Sequence, residues 1–304
     1  PTINIGFERT EDQSFTVGYS RRLRRPRFWY LNPFESRSSQ NVIYKGNPGL
    51  TPTFTNSFDL GYLQKIGKLT LNSSIYFQHS INSILRVSRD EIRLLDGVNQ
   101  VITIREPINL ASEDRFGFEL TANYNPSKKV RLSGSFNVFQ QESKGLYAYN
   151  KFIIDEVTGA ISATPETQDL GNTNNSWFTR FNATFSLPWK IQMQNRLSYR
   201  GPRNTAQSDS EGIFSANIAL SKDVFKEKGS LVLNVSDVFN SRKRKSTNYN
   251  PSIENPTSIS YQESQWRVRQ VSLNFTYRFN QKKKQQRDRR GGEDFEGGED
   301  FGTP

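Results

Sequence analysis

Residues 269–279 read Arg-Gln-Val-Ser-Leu-Asn-Phe-Thr-Tyr-Arg-Phe, and this alternation constrains the fold more than any other feature of the chain. Successive strand side chains point to opposite faces. Val271, Leu273, Phe275, Tyr277 and Phe279 therefore fall on one side, and Ser272, Asn274, Thr276 and Arg278 on the other. A soluble sandwich strand shows the same alternation. The stretch, however, is as long as the roughly 9 to 11 residues with which a tilted strand crosses a bilayer, and it finishes on an aromatic.

The pattern recurs from the first residue. Ile3, Ile5 and Phe7 alternate with polar neighbours, turn at residues 9–12, and return as Phe15, Val17 and Tyr19. Phe58, Leu60 and Tyr62 turn at Gly67 and return as Leu69, Leu71, Ile75 and Phe77. Phe116, Phe118, Leu120 and Tyr124 turn around Pro126 and return as Val130, Leu132, Phe136 and Val138. Phe181, Ala183 and Phe185 lead to Leu187-Pro188-Trp189, which reads as the tightest turn, and Ile191, Met193, Leu197 and Tyr199 lead away. A fifth hairpin runs from Phe214 to Leu220 and from Leu231 to Val235. Between hairpins lie long stretches without a sustained period, at residues 21–53, 84–113, 140–176, 201–211 and 241–265, rich in proline and polar residues. Only residues 92–95 and 101–104 within them carry short β-like runs.

Roughly eleven strands result, joined by connections that alternate between short and long. A sandwich has no reason to sort its connections by length, whereas a membrane barrel does. The fold class expected is all-β, a transmembrane antiparallel β-barrel spanning residues 1–279. Short turns are expected in the periplasm, long loops outside the cell, and the C-terminus of the closing strand in the periplasm. Eleven strands with an open edge in lipid leave backbone groups unpaired at several kcal/mol each. Further strands are therefore expected upstream, making this the C-terminal half of a barrel of about 22 strands. The start at Pro1, inside a strand and with no visible signal peptide, fits a piece of a longer protein.

Composition agrees with a barrel and narrows the chemistry. Hydrophobic residues make up 34% and the mean hydropathy is −0.73, because only every second wall residue meets lipid. There is no cysteine, hence no thiolate nucleophile or cysteine metal site, and no cofactor is expected. The single histidine, His79, ends an apolar series and reads as an interfacial residue, which leaves no Ser-His-Asp relay and no histidine metal centre in prospect. The net charge of +11 sits in the body, since six basic and six acidic residues balance in the tail. No nucleic-acid-binding motif accompanies it. That tail, residues 280–304, is basic and then repeats Gly-Gly-Glu-Asp-Phe, and it is expected to be disordered.

Gly46-Asn47-Pro48-Gly49-Leu50-Thr51-Pro52, followed by Thr55-Asn56-Ser57-Phe58-Asp59-Leu60-Gly61-Tyr62, resembles the element that precedes a barrel strand in TonB-dependent receptors. Gly46, Asn47, Pro48, Leu50 and Pro52 carry the motif. Asn234-Val235-Ser236-Asp237-Val238-Phe239-Asn240 and the closing Phe-Thr-Tyr-Arg-Phe agree with it. Tyr19-Ser20-Arg21-Arg22 with Leu31-Asn32-Pro33-Phe34 is similar to the Bacteroidetes-type outer membrane β-barrel branch. The resemblance covers about residues 1–279, but no TonB box or plug precedes it in this sequence, and a tail follows Phe279. It implies energy-coupled uptake of a nutrient such as an iron chelate, glycan or peptide. It also implies contact with TonB through an upstream part, and no enzymatic activity. A passive porin and a soluble β-rich adhesin are the other classes the sequence admits.

Two basic groups fall just beyond the apolar band on the long-loop side. They are Arg21, Arg22, Arg24, Arg25 and Arg27, and Arg242, Lys243, Arg244 and Lys245. Guanidinium groups pair bidentately with phosphate or carboxylate, so both groups are candidate contacts for lipopolysaccharide or for an anionic ligand. Strand parity puts Arg21 with the outward series and Arg22 with the inward one.

Overall fold

The computed structural model describes residues 1–279 except 40, 96, 156 and 255. The expected disordered tail, residues 280–304, lies outside the described residues. In chain order the strands are β1 (Thr2–Thr10), β2 (Gln13–Arg24), β3 (Ser36–Ser39), β4 (Val42–Tyr44), β5 (Thr53–Ile66), β6 (Leu69–Ile81) and β7 (Ile84–Leu95). There follow β8 (Val98–Asn109), β9 (Ser112–Ser127), β10 (Val130–Lys144), β11 (Leu146–Ile154), β12 (Ile161–Asp169), β13 (Asn172–Leu187) and β14 (Ile191–Arg200). The last are β15 (Arg203–Thr205), β16 (Ser208–Ser210), β17 (Ile213–Val224), β18 (Gly229–Ser236), β19 (Arg244–Asn250), β20 (Ser258–Ser264) and β21 (Gln270–Tyr277). One helical turn, α1 (Phe28–Leu31), is the main exception to an all-β chain.

Eleven strands form one antiparallel sheet in the order β1-β2-β5-β6-β9-β10-β13-β14-β17-β18-β21. Register makes its two faces continuous. Ile5, Val17, Leu60, Ile75, Phe118, Val138 and Trp177 stand opposite one another across seven strands. Beside them Asn4, Gly18, Asp59 and Tyr76 make a polar row of opposite parity. The apolar face lies open, with Ile5 65%, Leu60 53% and Leu273 65% exposed. A contiguous apolar surface of this kind has no place in water and marks contact with lipid. The polar face is concave: a cavity of about 390 Å³ on it is lined from five strands by residues that include Asn4, Thr16, Asp59, Asn72 and Glu119.

Short turns join the pairs at one end of the sheet. Three of them take two residues, so the three-residue turn at Pro188–Lys190 is not the tightest, contrary to its sequence appearance. Proline fixes its own φ, and the turn reverses only because Trp189 and Lys190 adopt left-handed conformations, with φ of 59° and 60°. Trp189 (81% exposed) and Phe225 (64%) stand out at this end. At the other end Trp177 packs on Tyr199, with ring centroids 4.4 Å apart. Aromatics at both borders of an apolar band form the two girdles of a membrane barrel.

The closing strand is shorter than its alternation suggested. β21 ends at Tyr277, and Phe279, 80% exposed, lies beyond it with its ring edge-on to Tyr277 at 4.6 Å. The strand's neighbour β18 begins at Gly229, opposite Tyr277, so the ladder runs out there.

The long connections are folded, which their lack of period did not suggest. Residues 84–109 form the hairpin β7–β8, which joins β3 and β4 in a four-stranded sheet of order β3-β4-β8-β7. Residues 146–169 form the hairpin β11–β12, and β15, β16, β19 and β20 make a second four-stranded sheet. They bury small cores of their own. Val87, Leu110, Tyr147 and Leu170 make one, and Ile43, Ile102 and Ile104 the other. Each core draws on at least two separate connections, so no single segment carries a complete hydrophobic period.

Candidate functional site

Two segments that the sequence presents separately meet at the long-connection end. The amide of Gly46 donates to the carbonyl of Asn32 at 2.9 Å, and that of Asn47 to the carbonyl of Tyr30 at 2.6 Å. A Cβ on Gly46 would collide with the Asn32 carbonyl oxygen, so only glycine permits the approach. Asn47 Oδ1 accepts from the Gly49 amide at 2.9 Å, closing a local turn, and Leu50 is buried. Asn109 then clamps the exit by accepting from the Thr51 amide at 2.9 Å and donating to the Asn82 carbonyl at 2.8 Å. The chain enters β5 held on three sides. The motif is an architectural joint between the loops and the wall.

The first basic group splits as strand parity requires. Arg21 stands in the apolar phase opposite Asn56, with its guanidinium 5.5 Å from the Phe54 ring. Arg22 and Arg24 stand in the polar phase, opposite Thr55 and Thr53. Arg27 lies over the Trp29 ring at 5.3 Å, and Arg25 precedes it at the surface. On the same border of the apolar phase, His79 Nδ1 and Asp114 Oδ1 lie 2.6 Å apart. This interfacial pair is the setting of the only histidine.

The second group splits too, and more informatively. Lys243 pairs with Glu263 at 3.0 Å and Lys245 with Glu211 at 3.7 Å, so both lysines are neutralised locally. Arg242 and Arg244 alternate with them and are exposed. The Arg242 amide donates to Asp237 Oδ2 at 3.0 Å. Asp237 itself is buried, and Ser241 also donates to it, so the Asn234–Asn240 stretch ends β18 in a fixed knot. Burial and the neighbouring Arg200, Arg203 and Arg86 draw the Arg244 guanidinium below its ordinary pKa. Burial does the same at Arg203, opposed by Glu113 and reinforced by Arg115 and Arg200. The structure thus brings Arg86, Arg200 and Arg203 to two of the residues singled out from sequence. The three are scattered over more than a hundred residues, and only Arg200, which continues the polar series Arg196 and Ser198, carried any sequence signal.

Gln207 holds the surrounding hairpins together. Its side chain accepts from the Ser88 amide at 2.8 Å and donates to the Ser88 carbonyl at 3.0 Å and to the Pro251 carbonyl. A charge relay braces the same region. Glu35 takes both terminal nitrogens of Arg93 at 2.8 Å, Arg93 reaches Glu91 at 2.6 Å, and Arg89 bridges Glu91 at 3.0 Å and Glu106 at 3.2 Å. Burial works to raise the pKa of Glu91, but the hydrogen bonds from Arg93 and Arg89 outweigh it and the net shift is downward. Tyr147, which donates to Glu106, is pushed up by burial and by that carboxylate. Among the described residues no cluster of three histidine, aspartate or glutamate side chains is spaced to hold a metal ion.

Comparison with known proteins finds distant likenesses and one family. The ferric enterobactin receptor of Pseudomonas aeruginosa, as a double mutant, is 14% identical with a TM-score of 0.48 over 80% of this chain and 35% of that one. The siderophore receptor PirA of Acinetobacter baumannii is 13% identical with a TM-score of 0.49, over 79% of this chain and 36% of that one. The FrpB iron transporter of Neisseria meningitidis is 16% identical with a TM-score of 0.49, over 92% and 38%. The chain thus spans little more than a third of the length of these structures. No curated protein matches it. The model of the outer membrane protein β-barrel family matches residues 1–277, which hold every strand of the described residues, and the protein belongs to that family.

Proposed function

We propose that the chain is the C-terminal barrel portion of a TonB-dependent receptor, which imports a nutrient such as an iron chelate, a glycan or a peptide. In this reading the long connections face outside the cell, the short turns and the C-terminus lie in the periplasm, and TonB acts through an upstream part of the protein. The carrying observation is the folded superstructure on the long-connection side, where the hairpins β7–β8 and β11–β12 share the Val87–Leu110–Tyr147–Leu170 core, Ala206 of the β15–β16 hairpin packs against it, and Gln207 binds the backbone of Ser88. A passive pore gains nothing from loops braced in this way, whereas a receptor needs a preorganised surface to select its ligand. Arg21 and Leu23, in the apolar phase of β2, suit contact with lipopolysaccharide, and Arg22 suits the lumen.

The test is energy dependence. Cells producing the full-length protein should import one member of a panel of iron chelates, oligosaccharides and peptides, and lose that import when TonB is deleted. Proteoliposomes holding the full-length protein should not admit small neutral sugars. Porin-like swelling in arabinose, with import indifferent to TonB, would sink the reading. Within it, Arg22→Ala should impair uptake while Arg21→Ala should chiefly lower the melting temperature in lipopolysaccharide; variants alike in both assays would remove the assigned roles.

A further inference from the structure

Four guanidinium groups stand together where the polar face of the wall meets the second four-stranded loop sheet. Arg200 ends β14 in the polar phase, opposite Phe178 and Ile213. Three residues on, Arg203 opens β15, opposite Ser210 of β16, which in turn faces Ser246 of β19. Arg244 lies two residues from Ser246, so strand alternation puts it on the same face as Arg203. Two strand spacings and two residues along a strand separate their backbones by about 12 Å, which two arginine side chains span from both sides. Arg242, just before β19, lies close enough to Arg200 for the two charges to repel. Arg86 approaches from β7, whose next turn of chain is fastened to this sheet by Gln207.

The scaffold under these side chains is rigid. The Gly201 amide donates to the Trp177 carbonyl at 2.6 Å, Ser176 Oγ to the Pro202 carbonyl at 2.7 Å, and the Asn204 amide to Asn174 Oδ1 at 2.9 Å. Asp237 pins Arg242 through its backbone. Among the described residues no carboxylate comes within ion-pair distance of Arg86, Arg203, Arg242 or Arg244; Glu113 acts on Arg203 only from beyond that distance, and Glu211 and Glu263 are taken up by Lys245 and Lys243. Arg200, Arg203, Arg242 and Arg244 are all exposed, yet Arg203 and Arg244 are walled in closely enough for burial to depress their pKa. Accessible like charges gathered this closely repel one another until an anion neutralises them.

We propose that Arg200, Arg203, Arg242 and Arg244, with Arg86 at the edge, form a binding site for a compact ligand bearing several anionic oxygens, phosphate or carboxylate. Bidentate guanidinium pairing selects such groups, and prepositioned arginines bind them with little loss of side-chain freedom. This names the ligand class of the receptor surface and so rests on the receptor reading. It fails separately, because binding is measured without transport.

The experiment is calorimetric titration of the purified full-length protein in neutral detergent with tripolyphosphate and, separately, with citrate. At least one probe should bind saturably, and its identity assigns phosphate or carboxylate. Arg203→Gln with Arg244→Gln should weaken that binding at least about tenfold, as loss of charge-assisted hydrogen bonds requires. Lys128→Gln, which removes one unit of charge at a short turn of the opposite end, should leave it unchanged. Heat-modifiable migration of each variant checks that it is folded; if the double variant is not, Arg203→Lys replaces it and should weaken binding by losing the planar fork while keeping the charge. Absence of saturable binding by either probe, or an equal loss in Lys128→Gln, overturns the proposal.

Discussion

At the scale of single residues, parity decides what each side chain can tolerate. Leu120 faces Ser73 and Phe136 in the middle of the apolar face, and Phe275 faces Leu231 nearer its border, with its ring 6.1 Å from that of Phe225. An arginine meets lipid at a cost of about 2 to 4 kcal/mol at mid-membrane and less toward the border. Leu120→Arg and Phe275→Arg should therefore block assembly, while Thr121→Arg and Asn274→Arg, on the polar face, should be milder; equal loss of heat-modifiable protein in all four would contradict the faces. Gly46→Ala is a different case, because the clash is with backbone atoms of residues 30–32 that cannot step aside. It should destabilise the loop joint by about 1 to 3 kcal/mol without altering the wall, and proteolysis within residues 28–50 should report it. The sequence marked Gly46 as part of a motif. It did not reveal what the glycine approaches, because Asn32 is brought there by a turn of chain that has no period of its own.

At the scale of elements, the wall strands were legible and the loop strands were not. One lipid face and one wet face impose strict alternation on β2, β5 or β21, and a one-residue slip would invert every side chain. β7 and β8 face no such division: Val87 packs in one core, Ile102 and Ile104 in another, and Arg89, Glu91 and Arg93 between them are satisfied by ion pairs. Their polar residues are therefore interior to the superstructure, and the hydrophobic period is broken where the charges pair. This gives a pH dependence. Glu35 and Glu91 have pKa values lowered by their arginines, so the stability they contribute is present above the ordinary carboxylate range and is lost as pH falls through the lowered values. The β7–β8 hairpin should resist proteolysis after exposure to pH 6 and loosen below about pH 4. Glu91→Gln should already be loosened at pH 6 and lose most of the acid-dependent step; an acid transition unchanged in size in that variant would show that the relay does not brace the hairpin.

At the scale of the whole molecule, the polar face carries both signs of charge. Asp59 and Glu119 lie on its β5 and β9 strands, and Arg22, Arg115, Arg180, Arg196 and Arg200 on β2, β9, β13 and β14. The edge strands β1 and β21 must each find a backbone partner in lipid, since unpaired strand groups there cost several kcal/mol each. The proposed orientation, long connections outside and short turns in the periplasm, rests on connection length, as in other membrane barrels. Arg37 lies in the folded connections and Lys226 in a short turn. Cysteines introduced at these two positions in the full-length protein should behave oppositely toward a membrane-impermeant thiol reagent in intact cells. Arg37→Cys should label and Lys226→Cys should label only after the outer membrane is breached; the reverse pattern would turn the barrel over and place the arginine cluster in the periplasm, where no extracellular ligand reaches it first.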